Sequence, residues 1–309
     1  MRKAVVTGGA GFIGSHICEE LVKRGYQVTI IDNLSAGKLS NLESILKDKN
    51  VEFVRGSITN SPLLRKLFSG ADYVFHQAAI TSVPYSVKNP KASHMTNMTG
   101  TLNVLVAARD NGVKKVVYAS SAAVYGDSPV LPKTEDMTPN PLSPYAVAKL
   151  AGEYYCNVFQ DIYRFKTVSL RYFNVYGPRQ DPHSTYAAAI PLFVSLALAG
   201  KPPVIFGDGE QTRDFAFVKD VARANILAAE SPASGIFNIG SATEITINHL
   251  VKLIYNLAGN GAIKPVYKDV RTGDILHSVA GITKSKTFSY SPEYTLEEGL
   301  KELIEYLRK

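Results

Sequence analysis

The sequence predicts an α/β protein with a doubly wound parallel sheet and a smaller C-terminal α/β lobe. An apolar run that begins at Lys3 ends in glycines and leads into a helical pattern, which is typical of a strand, a tight turn and a helix. Strand and helix patterns then alternate up to about residue 177, the order of βαβ units in a parallel sheet. A chain of 309 residues is long enough to bury the core of such a fold.

The predicted strands of the first part are short apolar runs with helical patterns between them. In chain order they are Ala4–Thr7, Val28–Asp32, Val51–Arg55, Tyr73–His76, Lys115–Ala119 and Thr167–Arg171. The main predicted helices are Phe12–Arg24, Thr96–Asn111 and Pro144–Tyr163. In the first helix, Ile13, Ile17 and Leu21 share one face, and Gly25 ends the pattern.

After Gly177 the patterns are shorter and less regular. We predict helices at Thr185–Ala199, Val221–Glu230, Ile247–Ala258 and Leu296–Leu307, and strands at Val204–Phe206, Phe215–Val218, Phe237–Ile239 and near Val266. Residues 1–177 are therefore interpreted as a dinucleotide-binding domain and residues 178–309 as a substrate-binding lobe. Because no low-complexity linker separates them, part of the later chain is expected to interleave with the first domain. A ligand cleft is expected between the two, at the carboxyl ends of the strands.

Gly8, Gly11 and Gly14 give the spacing G-x-x-G-x-x-G after the first strand. The first glycine permits the turn, the second lets the backbone approach a pyrophosphate, and the third lets the helix pack on the strand. Asp32 lies 18 residues beyond Gly14, at the end of the second strand, where a ribose-binding carboxylate is expected. Since no arginine follows directly, the pattern favours NAD over NADP in a Rossmann-type site. The alternative is that the acid only ends a strand.

A tyrosine and a lysine four residues apart open the predicted helix from Pro144. Ser143 is a good N-cap, so Tyr145 lies in the first turn and shares a helix face with Lys149. A phenol of ordinary pKa about 10 needs a nearby cation and a positive helix end to ionise near neutrality. Such a phenolate can take a proton from a hydroxyl group while a hydride leaves the same carbon, and Ser121 could hydrogen-bond the same oxygen. The alternative is a half-buried tyrosine beside a surface lysine.

Six segments carry a wider resemblance: TGGAGFIGS, Asp32-Asn33-Leu34, HQAA, YASSAAVYG, SPYAVAK and RYFNVYGPR. Together they resemble an extended short-chain dehydrogenase/reductase, specifically the NAD-dependent UDP-glucose/UDP-N-acetylglucosamine 4-epimerase family. The resemblance covers nearly the whole chain and implies NAD as the cofactor. In that family the residues that match Ser121, Tyr145 and Lys149 form the catalytic triad.

The resemblance also implies the binding residues and makes the C-terminal lobe a nucleotide-sugar-binding lobe. The implied cofactor contacts are Gly8, Gly11, Phe12, Ile13, Gly14, Asp32, Asn33, Ser57, Ile58, Gln77, Ala78, Ala79, Tyr145, Lys149 and Tyr172. The implied substrate contacts are Ser82, Val83, Ser121, Tyr145, Asn174, Arg213, Arg271, Asp274 and Ser278. Arg213 and Arg271 resemble the family's diphosphate clamps, and guanidinium forks suit phosphate oxygens. The alternative for Arg213 is a surface ion pair with Asp214.

The residues after Ser121 help to distinguish the reactions of this family. Relatives that dehydrate or decarboxylate the sugar usually carry an acid between this serine and V-Y-G, where this chain has Ala122 and Ala123. Without a carboxylic acid to protonate a leaving hydroxyl, elimination lacks the general acid that it needs. Reversible oxidation at C4, and therefore 4-epimerisation, is favoured over a dehydratase or decarboxylase. A non-catalytic dinucleotide-sensing protein on the same fold would be expected to lack the tyrosine or the lysine, and both are present.

The range of sugars is expected to depend on Ser278. Family members restricted to UDP-glucose and UDP-galactose generally carry a bulky tyrosine at the matching position, so serine implies that UDP-GlcNAc and UDP-GalNAc are accepted as well. Ser82 and Val83 also resemble the branch that accepts N-acetylhexosamines. Three departures from the family pattern bear on how tightly NAD is held: Ser57 replaces an acid that often binds adenine, Thr81 replaces a frequent lysine, and Gly281 replaces a frequent aspartate.

Composition narrows the partners and the location. The formal charge is +7, but Lys and Arg are scattered, so no nucleic-acid partner is predicted. No apolar run approaches the ~20 residues that span a bilayer, and a cytoplasmic protein without a membrane partner is expected. Cys18 and Cys156 lack metal-ligand spacing and are interpreted as core thiols, so no metal is predicted. Apolar positions on several faces of Thr96–Asn111 and Pro144–Tyr163, with the resemblance, imply a homodimer through a four-helix bundle; the alternative is burial within a monomer.

Overall fold

A computed structural model describes residues 1–182, 188–270 and 276–308 of the chain. Its strands are β1 (Lys3–Thr7), β2 (Gln27–Asp32), β3 (Val51–Arg55), β4 (Tyr73–His76), β5 (Lys115–Ser121), β6 (Thr167–Tyr172), β7 (Val175–Tyr176), β8 (Val204–Phe206), β9 (Thr212–Arg213), β10 (Ala216–Phe217), β11 (Gly235–Ile239), β12 (Ile245–Thr246) and β13 (Val266–Lys268). Its α-helices are α1 (Phe12–Lys23), α2 (Ser61–Leu67), α3 (Val83–Lys88), α4 (Pro90–His94), α5 (Gly100–Asp110), α6 (Pro144–Tyr163), α7 (Ala189–Leu198), α8 (Val218–Glu230), α9 (Ile247–Leu257) and α10 (Leu296–Arg308). Short 3₁₀ segments lie at Leu39–Leu42, Ala122–Tyr125 and Lys284–Phe288, and a π-helical turn lies at Met95–Thr99.

One parallel sheet holds the strands in the order β3-β2-β1-β4-β5-β6-β11. The chain builds outward from β1 to β3, then crosses back and places β4 on the other side of β1. The sheet therefore switches direction between β1 and β4, the place where doubly wound proteins bind their ligands. Thr7 lies opposite Ile31 of β2 and His76 of β4, so the loops after these strands start at one edge. The predicted fold class is confirmed.

Helices cover both faces of the sheet. On one face α1 and α8 bury residues such as Ile17 and Val221 against the strands. On the other face α2, α5 and α6 contribute Leu64, Val104 and Phe159 to a second cluster. This two-sided cover explains why the central strands are apolar along nearly their whole length rather than alternating.

The smaller lobe has a core of its own. Helices α7, α9 and α10 pack around Ile190, Leu250 and Leu303. Three strand pairs surround this core: β7 with β10 and β8 with β13 are parallel, and β9 with β12 is antiparallel. Helix α8 and strand β11 come after residue 177 but lie in the layers of the large sheet, where β11 pairs with β6. The division of the chain at residue 177 stays a prediction.

A buried lysine ties the sheet to α8. Lys115, at the start of β5, is 2% exposed, and its Nζ donates to the carbonyl oxygens of Ala228, Ser231 and Ala233 at 3.0, 2.5 and 3.0 Å. Carbonyls at the end of a helix lack partners within the helix and attract a cation. Burial lowers the pKa of Lys115 to about 8. The lysine therefore fixes the C-terminal end of α8 against the sheet.

Two elements of the first domain differ from the sequence prediction. β5 runs two residues further than predicted, because Ser120 and Ser121 pair with Arg171 and Tyr172 of β6. The helix predicted at Thr96–Asn111 is divided into the π-helical turn and α5. Both changes lie at the edge of the sheet that carries the ligand-binding loops.

The π-helical turn carries a buried asparagine. Asn97 is 1% exposed, its Oδ1 accepts from the N–H of Ile80, and its Nδ2 donates to the carbonyl of Ile80, both at 2.8 Å. This pair of hydrogen bonds holds the loop after β4 against the helix layer. Hydrophobic periodicity carries no signal for such a side-chain-to-backbone pair, so it was not predicted.

Further differences concern short elements. The predicted strand Phe215–Val218 is wrong at its end, because Val218 begins α8. The predicted helix Thr185–Ala199 starts at Ala189, and Thr185 lies outside the described residues. Cys18 and Cys156 are buried and free. Among the residues described, no helix is long and apolar enough to cross a membrane.

Candidate active site

The glycine loop lies at the switch between β1 and β4. Gly8 has a φ of +70°, and a Cβ there would lie 2.6 Å from the backbone N of Ala78. A Cβ at Gly14 would lie 2.2 Å from the carbonyl oxygen of Gly8, whereas one at Gly11 would meet only that oxygen, at 3.1 Å. The first and third glycines are therefore required by close backbone packing, and the second leaves the loop surface open. Within the described chain, no side chain caps the N-terminus of α1, so its N–H groups can receive an anion.

Asp32 shapes the loop that follows β2. It is 7% exposed, its Oδ2 accepts from the N–H of Ala10 at 3.0 Å, and its Oδ1 accepts from the N–H of Leu34 at 2.8 Å. Burial raises the pKa of this carboxyl, and the two backbone bonds oppose that change. Each carboxylate oxygen can accept more than one hydrogen bond, so capacity for ribose hydroxyls is left. The glycine cradle, the uncapped helix and this acid together fit a dinucleotide.

The other proposed cofactor residues differ in their side-chain contacts and in the elements that carry them. Gln77 donates through Nε2 to the hydroxyl of Tyr172 and to Oδ1 of Asn225, both at 3.1 Å, and Tyr172 donates to the same Oδ1 at 3.0 Å. Ile58 is 3% exposed and packs in the core beside Gly100, so its side chain is not available to a ligand. Phe12 and Ile13 begin α1, and the remaining members lie in the loops after β2, β3 and β4: Asn33, Ser57, Ala78 and Ala79.

A buried histidine holds β1 and β4 together below the glycine loop. The hydroxyl of Thr101 donates to the carbonyl of Asn97 at 2.7 Å, so it accepts from Nε2 of His76 at 3.0 Å. Nδ1 of His76 then accepts from the hydroxyl of Thr7 at 2.8 Å. Burial lowers the pKa of His76 to about 3, so the ring stays neutral. Sequence reasoning placed His76 at the end of β4 but missed this role.

The structure brings Ser121, Tyr145 and Lys149 together. Tyr145 lies in the first turn of α6, which Ser143 caps by accepting from the N–H of Ala146 at 3.2 Å. Nζ of Lys149 lies 5.8 Å from the centre of the Tyr145 ring. Ser121 ends β5, and its hydroxyl lies near enough to the Tyr145 side chain to lower the pKa of the phenol. The three side chains thus share one small space at the carboxyl edge of the sheet.

Burial dominates the electrostatics of this group. It raises the pKa of Tyr145, and the hydrogen bond with Ser121 only partly opposes this. It lowers the pKa of Lys149 to about 8, with the charge of Glu153 opposing, while Nζ donates to the carbonyl of Ala119 at 2.7 Å. Near neutrality Lys149 is therefore mostly charged and Tyr145 protonated. Residue spacing carries no measure of this desolvation, so the sequence did not predict it.

An ion pair lies directly below the triad. Glu153 and Arg171 are 0% and 1% exposed, and the guanidinium donates to both carboxylate oxygens at 2.8 and 2.7 Å. The hydroxyl of Ser120 donates to the same carboxylate. Burial opposes the charge of Arg171, but the bonds and charge of Glu153 outweigh it and raise its pKa above the ordinary value. Sequence reasoning missed Glu153, although it lies four residues after Lys149 on the same helix face.

A cleft with a cavity of about 1010 Å³ opens in the smaller lobe, where residues of α7 and β8 line it. Two proposed substrate residues line it: Asn174, whose Nδ2 donates to the carbonyl of Asp214 at 2.9 Å, and Arg213, which donates to the carbonyls of Thr212 and Leu276 at 2.8 and 3.2 Å. Pro84, next to Ser82 and Val83, lines it as well. Arg271 and Asp274 lie outside the described residues, and Ser278 follows them, partly exposed.

The alternative of a surface ion pair between Arg213 and Asp214 is wrong, because Asp214 is 0% exposed. Its carboxylate accepts from the N–H and hydroxyl of Ser241, and from the N–H groups of Ala242 and Ala280, at 2.7 to 3.1 Å. Asp214 therefore anchors the segment that carries Ser278. Nothing in the sequence pattern distinguished a buried anchor from a surface acid.

Gly281, one of the departures from the family pattern, has a local cause in packing. A Cβ there would lie 3.0 Å from the carbonyl oxygen of Lys133 and 3.0 Å from the side chain of Thr134. The N–H of Gly281 donates to the same carbonyl at 2.8 Å. A larger residue at this position would push the two segments apart.

The fold and the site define the class of the protein. Residues 4–240 match the NAD dependent epimerase/dehydratase family, and the chain belongs to this family. The resemblance found in the motifs, including dependence on NAD, is confirmed.

Several proteins are similar to this chain along its whole length. The structure of UDP-N-acetylglucosamine 4-epimerase from Methanobrevibacter ruminantium M1, in complex with UDP-N-acetylmuramic acid, is 44% identical, with a TM-score of 0.96 over 99% of this chain and 98% of that one. The structure of UDP-glucose 4-epimerase from Thermotoga maritima with UDP-glucose is 42% identical, with a TM-score of 0.93 over 99% and 98%. A putative UDP-glucose 4-epimerase of Methanocaldococcus jannaschii is 39% identical over 306 residues, 98% of each chain.

The lowered pKa of Lys149 predicts how its removal changes stability with pH. A free lysine has a pKa of about 10.4, so between about pH 8 and 10 the unfolded chain binds more protons than the folded one. The burial cost of the charge is therefore present in full below pH 8 and disappears as the pH rises to about 10. The free energy of unfolding of Lys149→Met minus that of the parent should therefore be about 2 kcal/mol larger at pH 7 than at pH 10.

Urea unfolding followed by circular dichroism at both pH values measures this difference. Lys115 also has a pKa of about 8, but it is present in both proteins and cancels. Lys66→Met, at an exposed position of α2, is the matched control and should show no change with pH. A stability difference between Lys149→Met and the parent that is the same at pH 7 and pH 10 would contradict the prediction.

Proposed function

We propose that the chain is an NAD-dependent UDP-sugar 4-epimerase that interconverts UDP-glucose with UDP-galactose and UDP-GlcNAc with UDP-GalNAc. The observation that carries the proposal is the meeting of Ser121, Tyr145 and Lys149 at the sheet edge that also carries the glycine loop. Family membership and the named activities of similar proteins support the same reaction. NAD, when bound, accepts a hydride from C4 and gives it back.

Proton transfer is assigned to the chain. Tyr145 must first be ionised, which burial opposes. Its phenolate then takes the proton of the C4 hydroxyl as the carbon is oxidised to a ketone, and it returns that proton when the carbon is reduced from the opposite face. Ser121 hydrogen-bonds the same oxygen, and charged Lys149 favours the phenolate. No proton or electron is lost over the cycle, so the product differs from the substrate only in its configuration at C4.

Inversion requires the nucleotide to stay fixed while the 4-keto sugar turns. Asn174 and Arg213 line the cleft and are proposed to hold the diphosphate, together with Arg271; Asp274 is proposed to hold the uridine ribose. Guanidinium groups bind phosphate oxygens through paired hydrogen bonds. Binding energy placed on the nucleotide leaves the hexose free to rotate.

Other reactions of the family are less well supported. A 4,6-dehydratase or a decarboxylase needs an acid near the leaving group, but Ala122 and Ala123 follow Ser121 in a 3₁₀ turn. A non-catalytic dinucleotide sensor would not need Tyr145 and Lys149 in contact range of Ser121. The same cleft thus favours oxidation and reduction at C4.

Incubation of the purified protein with UDP-GlcNAc, followed by NMR of the sugar, tests the function. We expect a C4 epimer, and Tyr145→Phe should reduce the rate by at least about 100-fold, the lower range for loss of a general acid–base group. A 4-keto-6-deoxy or pentose product would support the alternatives, and no change would contradict catalysis.

Denaturing the protein as purified and assaying released NAD or NADH shows whether the glycine loop retains its cofactor.

Ser278 provides a test of sugar range. It lies two residues before Ala280, whose N–H donates to Asp214, and we propose that a serine here accommodates an acetamido group that a tyrosine ring would exclude. Ser278→Tyr should lower kcat/KM for UDP-GlcNAc by about tenfold or more and change UDP-glucose turnover less than about threefold. Ser278→Ala, which adds no volume, is the matched control. Parental turnover of UDP-GlcNAc by the tyrosine variant would show that Ser278 does not select the sugar.

A homodimer through α6 is also proposed. Val147, Tyr154, Val158 and Ile162 lie along one face of α6 and are 46%, 56%, 44% and 68% exposed. Their spacing makes a continuous apolar stripe opposite the face that carries Tyr145. Stripes of this size mark interaction surfaces.

A cytoplasmic location is proposed as well, since two buried free cysteines fit a reducing compartment.

Analytical ultracentrifugation at micromolar protein concentration should give twice the chain mass of 33.6 kDa. Ile162→Glu should shift the protein to monomer, because it places a charge in the apolar stripe. Tyr306→Glu, at an exposed apolar position of α10, should leave the mass unchanged. A monomer mass for the parent protein contradicts the proposal.

A further inference from the structure

Ser86 joins two elements at the edge of the site. It is 0% exposed and lies in α3. Its hydroxyl is 2.7 Å from the carbonyl oxygen of Val83 and 3.2 Å from the backbone nitrogen of Tyr145. The hydroxyl has one proton, which goes to the carbonyl, and the amide can only donate. Ser86 therefore donates to Val83 and accepts from Tyr145.

The two partners of Ser86 have different tasks in the proposed reaction. Val83 belongs to the segment proposed to contact the sugar, and Tyr145 is the proposed proton-transfer group. Tyr145 lies in the first turn of α6, where N–H groups have no partner within the helix. The N-cap residue Ser143 accepts a hydrogen bond from the N–H of Ala146. The N–H of Tyr145 instead donates to Ser86 of α3.

We propose that Ser86 is a positioning residue that sets Tyr145 relative to the sugar-binding segment. The proposal rests on the function proposed above. Proton transfer requires the two heavy atoms to lie within about 2.6–3.2 Å, so a small displacement of the phenol slows the chemical step. Asn174 and Arg213, which are proposed to bind the nucleotide, lie outside α3 and α6, so nucleotide binding is not expected to depend on this bond.

Two serine variants on the same helix end separate positioning from capping. Ser86→Ala and Ser143→Ala each remove a hydroxyl that serves one N–H of α6, so both should lower the melting temperature. Only Ser86→Ala breaks the connection to α3. We expect it to lower kcat about tenfold or more, with KM for the UDP-sugar within about twofold of the parent. Ser143→Ala should keep kcat within about twofold.

The outcomes are distinct. Equal kcat for the two variants would overturn the proposal, because Ser86 would then only cap the helix. A raised KM with parental kcat would also overturn it, since the bond would then serve binding alone. If Ser86→Ala fails to fold, Ser86→Cys has a similar size and a weaker acceptor, and the same loss of kcat is expected. A parent protein without epimerase activity overturns the proposed function, whereas an active parent with an unaffected Ser86→Ala overturns only the positioning role.

Discussion

The arrangement of the site depends on the buried ion pair between Glu153 of α6 and Arg171 of β6. Removing two charges from water is costly, and the cost is recovered only when geometry and further hydrogen bonds are good. Here the guanidinium forms two parallel bonds, and Ser120 of β5 adds a third donor to the carboxylate. The pair therefore fixes α6 against two strands at once. With its rotation set, the helix can present Lys149 and Tyr145 to Ser121, one and two turns before Glu153 respectively.

Much of the fold could be predicted from the sequence, because long elements repeat a simple period. The first six strands of the sheet and the long helix Pro144–Tyr163 were placed within two residues of their observed bounds. The π-helical turn and the two-residue strands could not be predicted, since they are fixed by contacts distant in sequence. Asn97 shows why: its two bonds to Ile80 exist only after the chain has folded.

The sequence predicted the residues of the site that form local patterns but not the residues that support them. The glycines, Asp32 and the Tyr145–Lys149 spacing are local patterns with a chemical reason, and the structure brings Ser121 to the same place. The supporting residues carry no such pattern, because Ser86 and Asp214 act through backbone groups of other elements. The effect of burial on the pKa of Tyr145 was not predicted either, since burial at the carboxyl edge cannot be read from residue spacing.

The position of β11 has a consequence for how the protein is made. This strand covers the edge of β6, yet it is encoded more than fifty residues after the proposed boundary at residue 177. A nascent chain that has emerged only to that boundary leaves β6, which is fully buried in the complete fold, as an open edge that is prone to pair with other chains. The large sheet can close only when residues up to Ile239 are available, and Lys115 then holds the end of α8 in place. The two parts of the chain are therefore one folding unit, and neither is expected to mature alone.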